Sequence, residues 1–274
     1  MKLAFSTLAC PTWTIDTVAR MAADLGYDAV ELRLLDGRDI DPVSDQARVS
    51  AAVASCRAAG VDICAFDTTC TFNHADSEER MRQVTVLLRW IDLAATNRVR
   101  VLRVFAGSAD PSAGSVPAND TTVMGLIVEA LRRAVPAAAH AGVTIALETH
   151  DSFSSSKRVA EALDAVDSPW VAALWDSHHP YRMGESNEQV IGVLGSRIAH
   201  VHVKDARRSQ PDGSSWQLVP LGEGEVPVAG MLRLLRERGY EGYVSVEWEK
   251  RWHPELAEPE NALPQHIAWL RGHS

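Results

Sequence analysis

Apolar residues along this chain fall into eight short runs, each followed by polar residues and then by a stretch whose apolar positions recur at helical spacing. The runs cover residues 3–8, 29–34, 61–66, 99–105, 143–147, 171–175, 198–203 and 243–248. They are rich in Val, Leu, Ile and Ala and nearly continuous in apolar character, as strands covered on both faces must be. The amphipathic stretches cover 15–25, 44–59, 78–95, 121–140, 156–166, 187–194, 228–238 and 263–270. Gly26, Gly60, Gly142, Gly195 and Gly239 stand where a helix would end in a left-handed residue.

Eight β/α units without a Pro- or Ser-rich linker predict one domain over 1–274, a closed (β/α)8 TIM barrel of the α/β class. An open doubly wound sheet is the rival, but no GxGxxG follows the first run and the count of eight leaves nothing over. Gly222-Glu223-Gly224 resembles a phosphate loop only in composition, because no long apolar strand leads into it. The strand-to-helix connections 67–77, 106–120, 178–185, 205–226 and 249–262 are long and polar, whereas the helix-to-strand connections are short. That asymmetry places an elaborated face over the carboxyl ends of the strands, where a substrate would be covered.

Composition changes this picture little: 46% hydrophobic and 23% charged residues describe an ordinary globular protein. Charge excludes more. A formal net charge of −9 argues against a partner bound by neutralising many phosphates, so nucleic acid is not expected. No apolar run reaches the length of a membrane span. The N-terminal run is too short for a secretion signal and is followed at once by Pro11. Cys10, Cys56, Cys64 and Cys70 form no CxxC pair and no zinc-knuckle spacing, so reduced structural thiols in a cytoplasmic protein are expected.

Chemistry gathers in the second half. The last four runs each end in one metal-binding side chain: ALETH supplies Glu148, ALWDSHH supplies Asp176, AHVHVKD supplies His202 and VSVEWEK supplies Glu247. His200, His202 and Lys204 alternate with apolar residues, as do Ser245, Glu247 and Glu249, so each set shares one face of its strand. Glu31, Arg33 and Arg103 show the same alternation on earlier strands. A buried carboxylate without a partner costs several kcal/mol or is forced to protonate, so three together require a cation. Three carboxylates and one imidazole form an oxygen-rich set suited to one divalent ion, Mn²⁺ first, with Mg²⁺, Co²⁺ and Zn²⁺ also compatible.

LETH, WDSHH, HVHVKD, LGEGEVPV and VSVEWE, in this order, resemble the sugar isomerase/epimerase group of xylose-isomerase-like TIM barrels. That sugar phosphate isomerase/epimerase family includes D-tagatose and D-psicose 3-epimerases, hydroxypyruvate isomerases and inosose dehydratases. The resemblance covers essentially the whole chain, with its specific motifs in the second half. It implies that Glu148, Asp176, His202 and Glu247 bind one divalent ion, and that Glu148 and Glu247 serve as acid and base on opposite faces of a substrate. It also implies that His179, three residues after Asp176, and Arg208, six after His202, contact substrate oxygens. Family members are often dimers or tetramers, so a homo-oligomer is compatible with the resemblance and the oligomeric state stays open.

Removing a proton beside a carbonyl leaves an enediolate, whose developing charge needs a positive charge placed beforehand. Return of a proton to the opposite face is epimerisation, return at the neighbouring carbon is isomerisation, and loss of a β-hydroxyl is dehydration. The main expectation is therefore an isomerase or epimerase of a sugar or keto-sugar. Alternatives are a dehydratase acting on an inosose or 3-keto sugar, an endonuclease IV-like repair enzyme and a non-catalytic sugar-binding barrel. The acidic balance opposes the repair enzyme, and an intact Glu pair opposes simple binding. With no recognisable phosphate cradle, a free sugar is favoured over a phosphosugar.

Other candidates surround this set. Lys204 is open between proton transfer or neutralisation of an enediolate and a strand-end salt bridge. His150 and His178 share the phase of Glu148 and Asp176 and are open between hydrogen-bonding within the site and loop exposure. Trp13, Phe72, Trp216 and Trp252 either stack on a sugar or simply cover the barrel, and Glu31 with Arg33 reads as a structural or orienting pair.

Overall fold

Among the described residues the eight apolar runs become eight parallel strands that close on themselves. The computed structural model describes residues 1–107, 115–117, 121–210 and 215–273. In chain order the first half comprises β1 (Lys2–Ser6), α1 (Ile15–Leu25), β2 (Ala29–Leu32), a short pair β3 (Leu34–Leu35) and β4 (Arg38–Asp39), α2 (Gln46–Ala58), β5 (Asp62–Asp67), α3 (Ser77–Asn97), β6 (Val101–Val104) and α4 (Val123–Ala141). There follow β7 (Thr144–Glu148), α5 (Ser156–Val166), β8 (Val171–Asp176), α6 (His178–Arg182), α7 (Asn187–Leu194) and β9 (Ile198–Val203). A hairpin of β10 (Asp205–Arg208) and β11 (Trp216–Val219), then α8 (Val228–Glu237), β12 (Tyr243–Val246) and α9 (Pro259–His273) complete the chain. Around the barrel the order is β1-β12-β9-β8-β7-β6-β5-β2, the closed (β/α)8 architecture that the repeat predicts.

Where element ends differ from the sequence reading, local hydrogen bonding explains the difference. The fourth strand starts at Val101 rather than 99 because Arg98 adopts a left-handed conformation at the end of α3, and the Val99 N–H turns back to the Ala94 carbonyl. The last helix starts at Pro259 rather than 263, proline being well suited to a first helical turn, where its missing N–H has no partner to lose. The segment after Asp176, expected as loop, winds into the short helix α6.

Strand alternation divides the side chains into two populations. Phe5, Val30, Leu32, Phe66, Leu102, Leu147 and Val201 join the core shared with the surrounding helices. Each such burial contributes about 1.5–3 kcal/mol, so the layer outside the barrel carries most of the stability. Inside, Ala4, Ala29 and Cys64 form a small separate apolar cluster toward the amino ends. Farther toward the carboxyl ends of the barrel strands come Ser6, Glu31, Arg103, Glu148, Asp176, His200, His202 and Ser245, all buried. Among the described residues no helix is long and apolar enough to cross a membrane.

Candidate metal centre and active site

β12, β9, β8 and β7 are neighbours in the barrel, so the side chains at or just beyond their carboxyl ends meet at one place. Single ligand atoms of Glu148, Asp176, His202 and Glu247 all lie within 4.8 Å of one another, and all four residues are buried. His202 Nδ1 is 3.1 Å from Glu148 Oε1 and 3.5 Å from Glu247 Oε1. Asp176 takes its backbone hydrogen bonds through one oxygen: Oδ1 accepts from the His178 N–H at 2.7 Å and the His179 N–H at 3.0 Å. Among the described residues, Asp176 Oδ2 and Glu148 Oε2 are buried without a hydrogen-bond donor. Buried carboxylate oxygens that no hydrogen bond satisfies, beside an imidazole, form a donor set suited to a hard divalent ion, so these residues fit one.

Two protein cations share the space. Lys204 Nζ lies 2.6 Å from Glu247 Oε2, 2.6 Å from Glu249 Oε1 and 3.2 Å from Asp176 Oδ2. Arg103, buried inside the barrel, places Nε 3.4 Å from Glu148 Oε2 and 3.6 Å from Asp67 Oδ1. Their charges set the protonation of the cluster. Burial works against charge on Glu247, but Lys204, His202 and Arg103 outweigh it and hold the carboxyl below the usual range. Burial and Glu247 push Glu148 upward, while His202 and Arg103 bring it below its ordinary value. Asp176 is pushed up to about 6, chiefly by burial, with Lys204 opposing. Burial opposes charge on His202, yet Glu31, Glu247 and Glu148 raise its pKa.

Glu31 does not pair with Arg33. Arg33 turns to Asp39 on the β3–β4 hairpin, whereas Glu31 Oε1 lies 2.9 Å from His202 Nε2 and 3.3 Å from His200 Nε2 inside the barrel. Asp67 also enters this layer, accepting from Ser6 Oγ at 3.3 Å. Burial and the neighbouring Glu31 raise its pKa well above normal. The sequence reading places Asp67 only at the start of a loop. It nevertheless ends its apolar run just as Glu148 and Asp176 do, and that signal was present.

The rim carries aromatic and imidazole rings. His150 lies between Phe105 and His179, with ring centroids 4.7 and 4.2 Å apart, and His178 meets Trp216 edge-on at 5.0 Å. His179 is buried and neither ring nitrogen has a hydrogen-bond partner among the described residues. Burial, then Lys204 and His150, hold its pKa well below normal, so the ring is neutral with one donor and one acceptor to offer. His178, His179, Arg182, Trp216, Glu249 and His253 border a cavity of about 410 Å³. A cavity of about 500 Å³ near Thr144, Asp164 and Arg197 lies at the amino ends of the strands, remote from the four-residue cluster.

Arg208 is not drawn into the cluster. Its N–H donates to Glu225 Oε1 at 2.8 Å and its half-exposed guanidinium lies 5.3 Å from the Trp216 ring, at the edge of the hairpin. Phe72 is buried, Trp13 donates to Glu260 Oε1 at 2.9 Å, and Trp252 is exposed beside Arg33 and Arg251. Most of loop 106–120 lies outside the described residues, as do 211–214 between the hairpin strands.

Gly222-Glu223-Gly224 does hold an anion, one from the same chain. Asp205 Oδ2 accepts from the N–H groups of Gly222 and Gly224, both at 2.9 Å, and Oδ1 accepts from Val226 at 3.1 Å and Ala206 at 2.8 Å. This clasp ties the base of the β10–β11 hairpin to the approach to α8.

A family model described as xylose isomerase-like TIM barrel matches residues 19–273. Fructoselysine 3-epimerase of Escherichia coli O157:H7 is 30% identical over 130 residues, 46% of each chain. Inosose dehydratase of Geobacillus thermodenitrificans (strain NG80-2) is 28% identical over 148 residues, 49% of each chain. The chain thus spans about half the length of the curated relatives it matches. The solved structure of IOLI protein with a binding zinc atom is similar with a TM-score of 0.78 at 20% identity, covering 99% of this chain and 97% of that one. Identity at that level speaks for the fold alone.

Proposed function

From the premise that this chain belongs to the xylose isomerase-like TIM barrel family, we propose that it is a divalent-metal-dependent isomerase or epimerase acting on a sugar or keto-sugar. Its chief support is the convergence of Glu148, Asp176, His202 and Glu247 within 4.8 Å at the ends of four adjacent strands. Those residues would hold one ion, with Mn²⁺ first and Mg²⁺, Co²⁺ or Zn²⁺ as alternatives. When bound, the ion supplies Lewis-acid charge to adjacent substrate oxygens.

Proton movement falls to the chain's own residues. Glu148 on β7 and Glu247 beyond β12 are the outer two of the four, with Asp176 and His202 between them. One takes the C–H proton beside the carbonyl and the other delivers a proton to the opposite face. His202, Arg103 and Lys204 favour the ionised carboxylates, as the base requires, so the delivering Glu first takes up a proton from solvent or from the Lys204 ammonium. The neutral His179 ring, without an internal partner, orients a substrate hydroxyl, and His150 behind it fixes its place. The 410 Å³ cavity bordered by His179 and Glu249 would admit the substrate, its volume being within the usual range for small-molecule sites of about 300–1,000 Å³.

One observation favours a second reading, a dehydratase. Lys204 Nζ lies 2.6 Å from Glu247 Oε2, a pair able to deliver a proton to a departing β-hydroxyl.

The test is to incubate Mn²⁺-loaded protein with ketoses, 3-keto sugars and inososes in D₂O and follow C–H exchange by NMR. Exchange beside the carbonyl is expected for at least one class and should be lost in Glu247→Gln. Exchange accompanied by loss of water selects the dehydratase. If no class exchanges, or if Glu247→Gln exchanges as fast as the parent, proton transfer at this site is wrong.

A further inference from the structure

The two nitrogens of His202 face different carboxylates. Nδ1 faces Glu148 Oε1 at 3.1 Å and Glu247 Oε1 at 3.5 Å, both in the proposed ligand set. Nε2 turns away from them, to Glu31 Oε1 at 2.9 Å. Glu31 comes from β2, which is separated from β9 by β1 and β12, so the contact reaches across the barrel interior. Both residues are fully buried, at 0% exposure, so water does not compete for the contact. An imidazole can offer Nδ1 to an ion only when the remaining proton sits on Nε2. A buried carboxylate at hydrogen-bond distance from Nε2 selects that tautomer and fixes the ring plane.

We infer that Glu31 is a positioning residue of the metal centre: it accepts a hydrogen bond from Nε2–H of His202 and so presents Nδ1 to the ion. This rests on the metal reading above and adds a side chain from the first half of the chain. Glu31 is well placed for the role rather than for ligation, since the ligand oxygens crowd Nδ1 and its own carboxylate lies on the far side of the ring. The competing use of these atoms is a second ion held by Glu31, Asp67 and His202, which also come within 4.8 Å of one another. The Arg103 guanidinium, 3.6 Å from Asp67 Oδ1 and 3.4 Å from Glu148 Oε2, supplies positive charge to both sets, so the number of ions is decided by titration.

The test uses the whole chain and two readouts other than activity. Calorimetric titration with Mn²⁺ is expected to show one site in the parent protein, and one site about 10–100-fold weaker in Glu31→Gln. Long-range ¹H–¹⁵N spectra of the Zn²⁺-loaded parent are expected to show His202 bound through Nδ1 with its proton on Nε2, a measurement that does not depend on how well the variant folds. Unchanged affinity in folded Glu31→Gln, or a proton on Nδ1 of the loaded parent, would overturn the inference. Two sites in the parent falling to one in Glu31→Gln would make Glu31 a ligand and overturn it as well. If the parent binds none of Mn²⁺, Co²⁺ or Zn²⁺ while Glu31→Gln remains equally folded, the metal reading itself fails first.

Discussion

The Lys204 ammonium bridges Glu247 and Glu249, 2.6 Å from an oxygen of each, and so joins the proposed acid–base carboxylate to the wall of the 410 Å³ cavity. Replacing it in Lys204→Met leaves Glu247 and Asp176 without that counter-charge. Breaking a buried pair in this way costs about 3–5 kcal/mol, so the metal-free variant should melt well below the parent. Because Lys204 holds the Glu247 carboxyl down, its loss should also move the acidic limb of the kcat/KM profile to higher pH. An unshifted limb in a folded variant would remove Lys204 from the acid–base machinery.

Metal should stabilise the fold by mass action. At Mn²⁺ concentrations about 100 times Kd the gain is about 2.7 kcal/mol, which corresponds to a rise in Tm of roughly 5 °C for a chain of this size. EDTA should reverse it, and Glu148→Gln and Glu247→Gln should lose most of it. An equal shift in those variants would place the ion elsewhere.

The Asp205 clasp should tolerate neither partner's loss. In Asp205→Ala the N–H groups of Gly222, Gly224 and Val226 lose their acceptor, at about 1–3 kcal/mol for each that stays buried. A Cβ on Gly224 would overlap Asp205 Oδ1 and the Ala206 carbonyl, so Gly224→Ala should destabilise comparably. Gly192, exposed on α7 with open space around it, is the control: Gly192→Ala should gain about 0.5–1 kcal/mol. Chemical denaturation of the three variants would sink the clasp if Gly224→Ala behaved like Gly192→Ala.

His266 gives a pH dependence of known sign. It is buried against Trp248, accepts from the Leu221 N–H at 3.4 Å, and burial lowers its pKa to about 3. The unfolded chain takes up this proton near pH 6.5 and the folded chain does not, so stability is lost as pH falls from about 6.5 toward 3. Between pH 7 and 5 that loss is about 2 kcal/mol. His178 acts in the same direction, so the useful quantity is the difference between parent and His266→Leu. Identical slopes in urea midpoints over this range would refute it.

How much of this could be seen in the sequence differs between residues for physical reasons. Glu148, Asp176, His202 and Glu247 end apolar runs on the inward phase, and a parallel barrel must bring neighbouring strand ends together. Glu31 has the right phase as well, but its partner lies 171 residues away, and alternation identifies a face without saying what stands opposite. The Gly-Glu-Gly segment resembled a phosphate loop only in composition, and its role as backbone donors to Asp205 was not legible, because a side-chain carboxylate and a phosphate make the same demand of oriented N–H groups. The hairpin strands β10 and β11 are short and partly exposed, with no clean period to read.

The two backbone hydrogen bonds to Asp176 Oδ1 fix how many atoms this side chain can give. With that oxygen committed to the first turn of α6, Asp176 would present Oδ2, the oxygen 3.2 Å from Lys204 Nζ, to a bound ion. If the other three residues of the proposed set likewise gave one atom each, an octahedral ion would keep about two of its positions for other oxygens. Such positions would suit a vicinal diol or hydroxyketone, so the cap on a one-turn helix would limit the protein's denticity and leave the remainder for substrate.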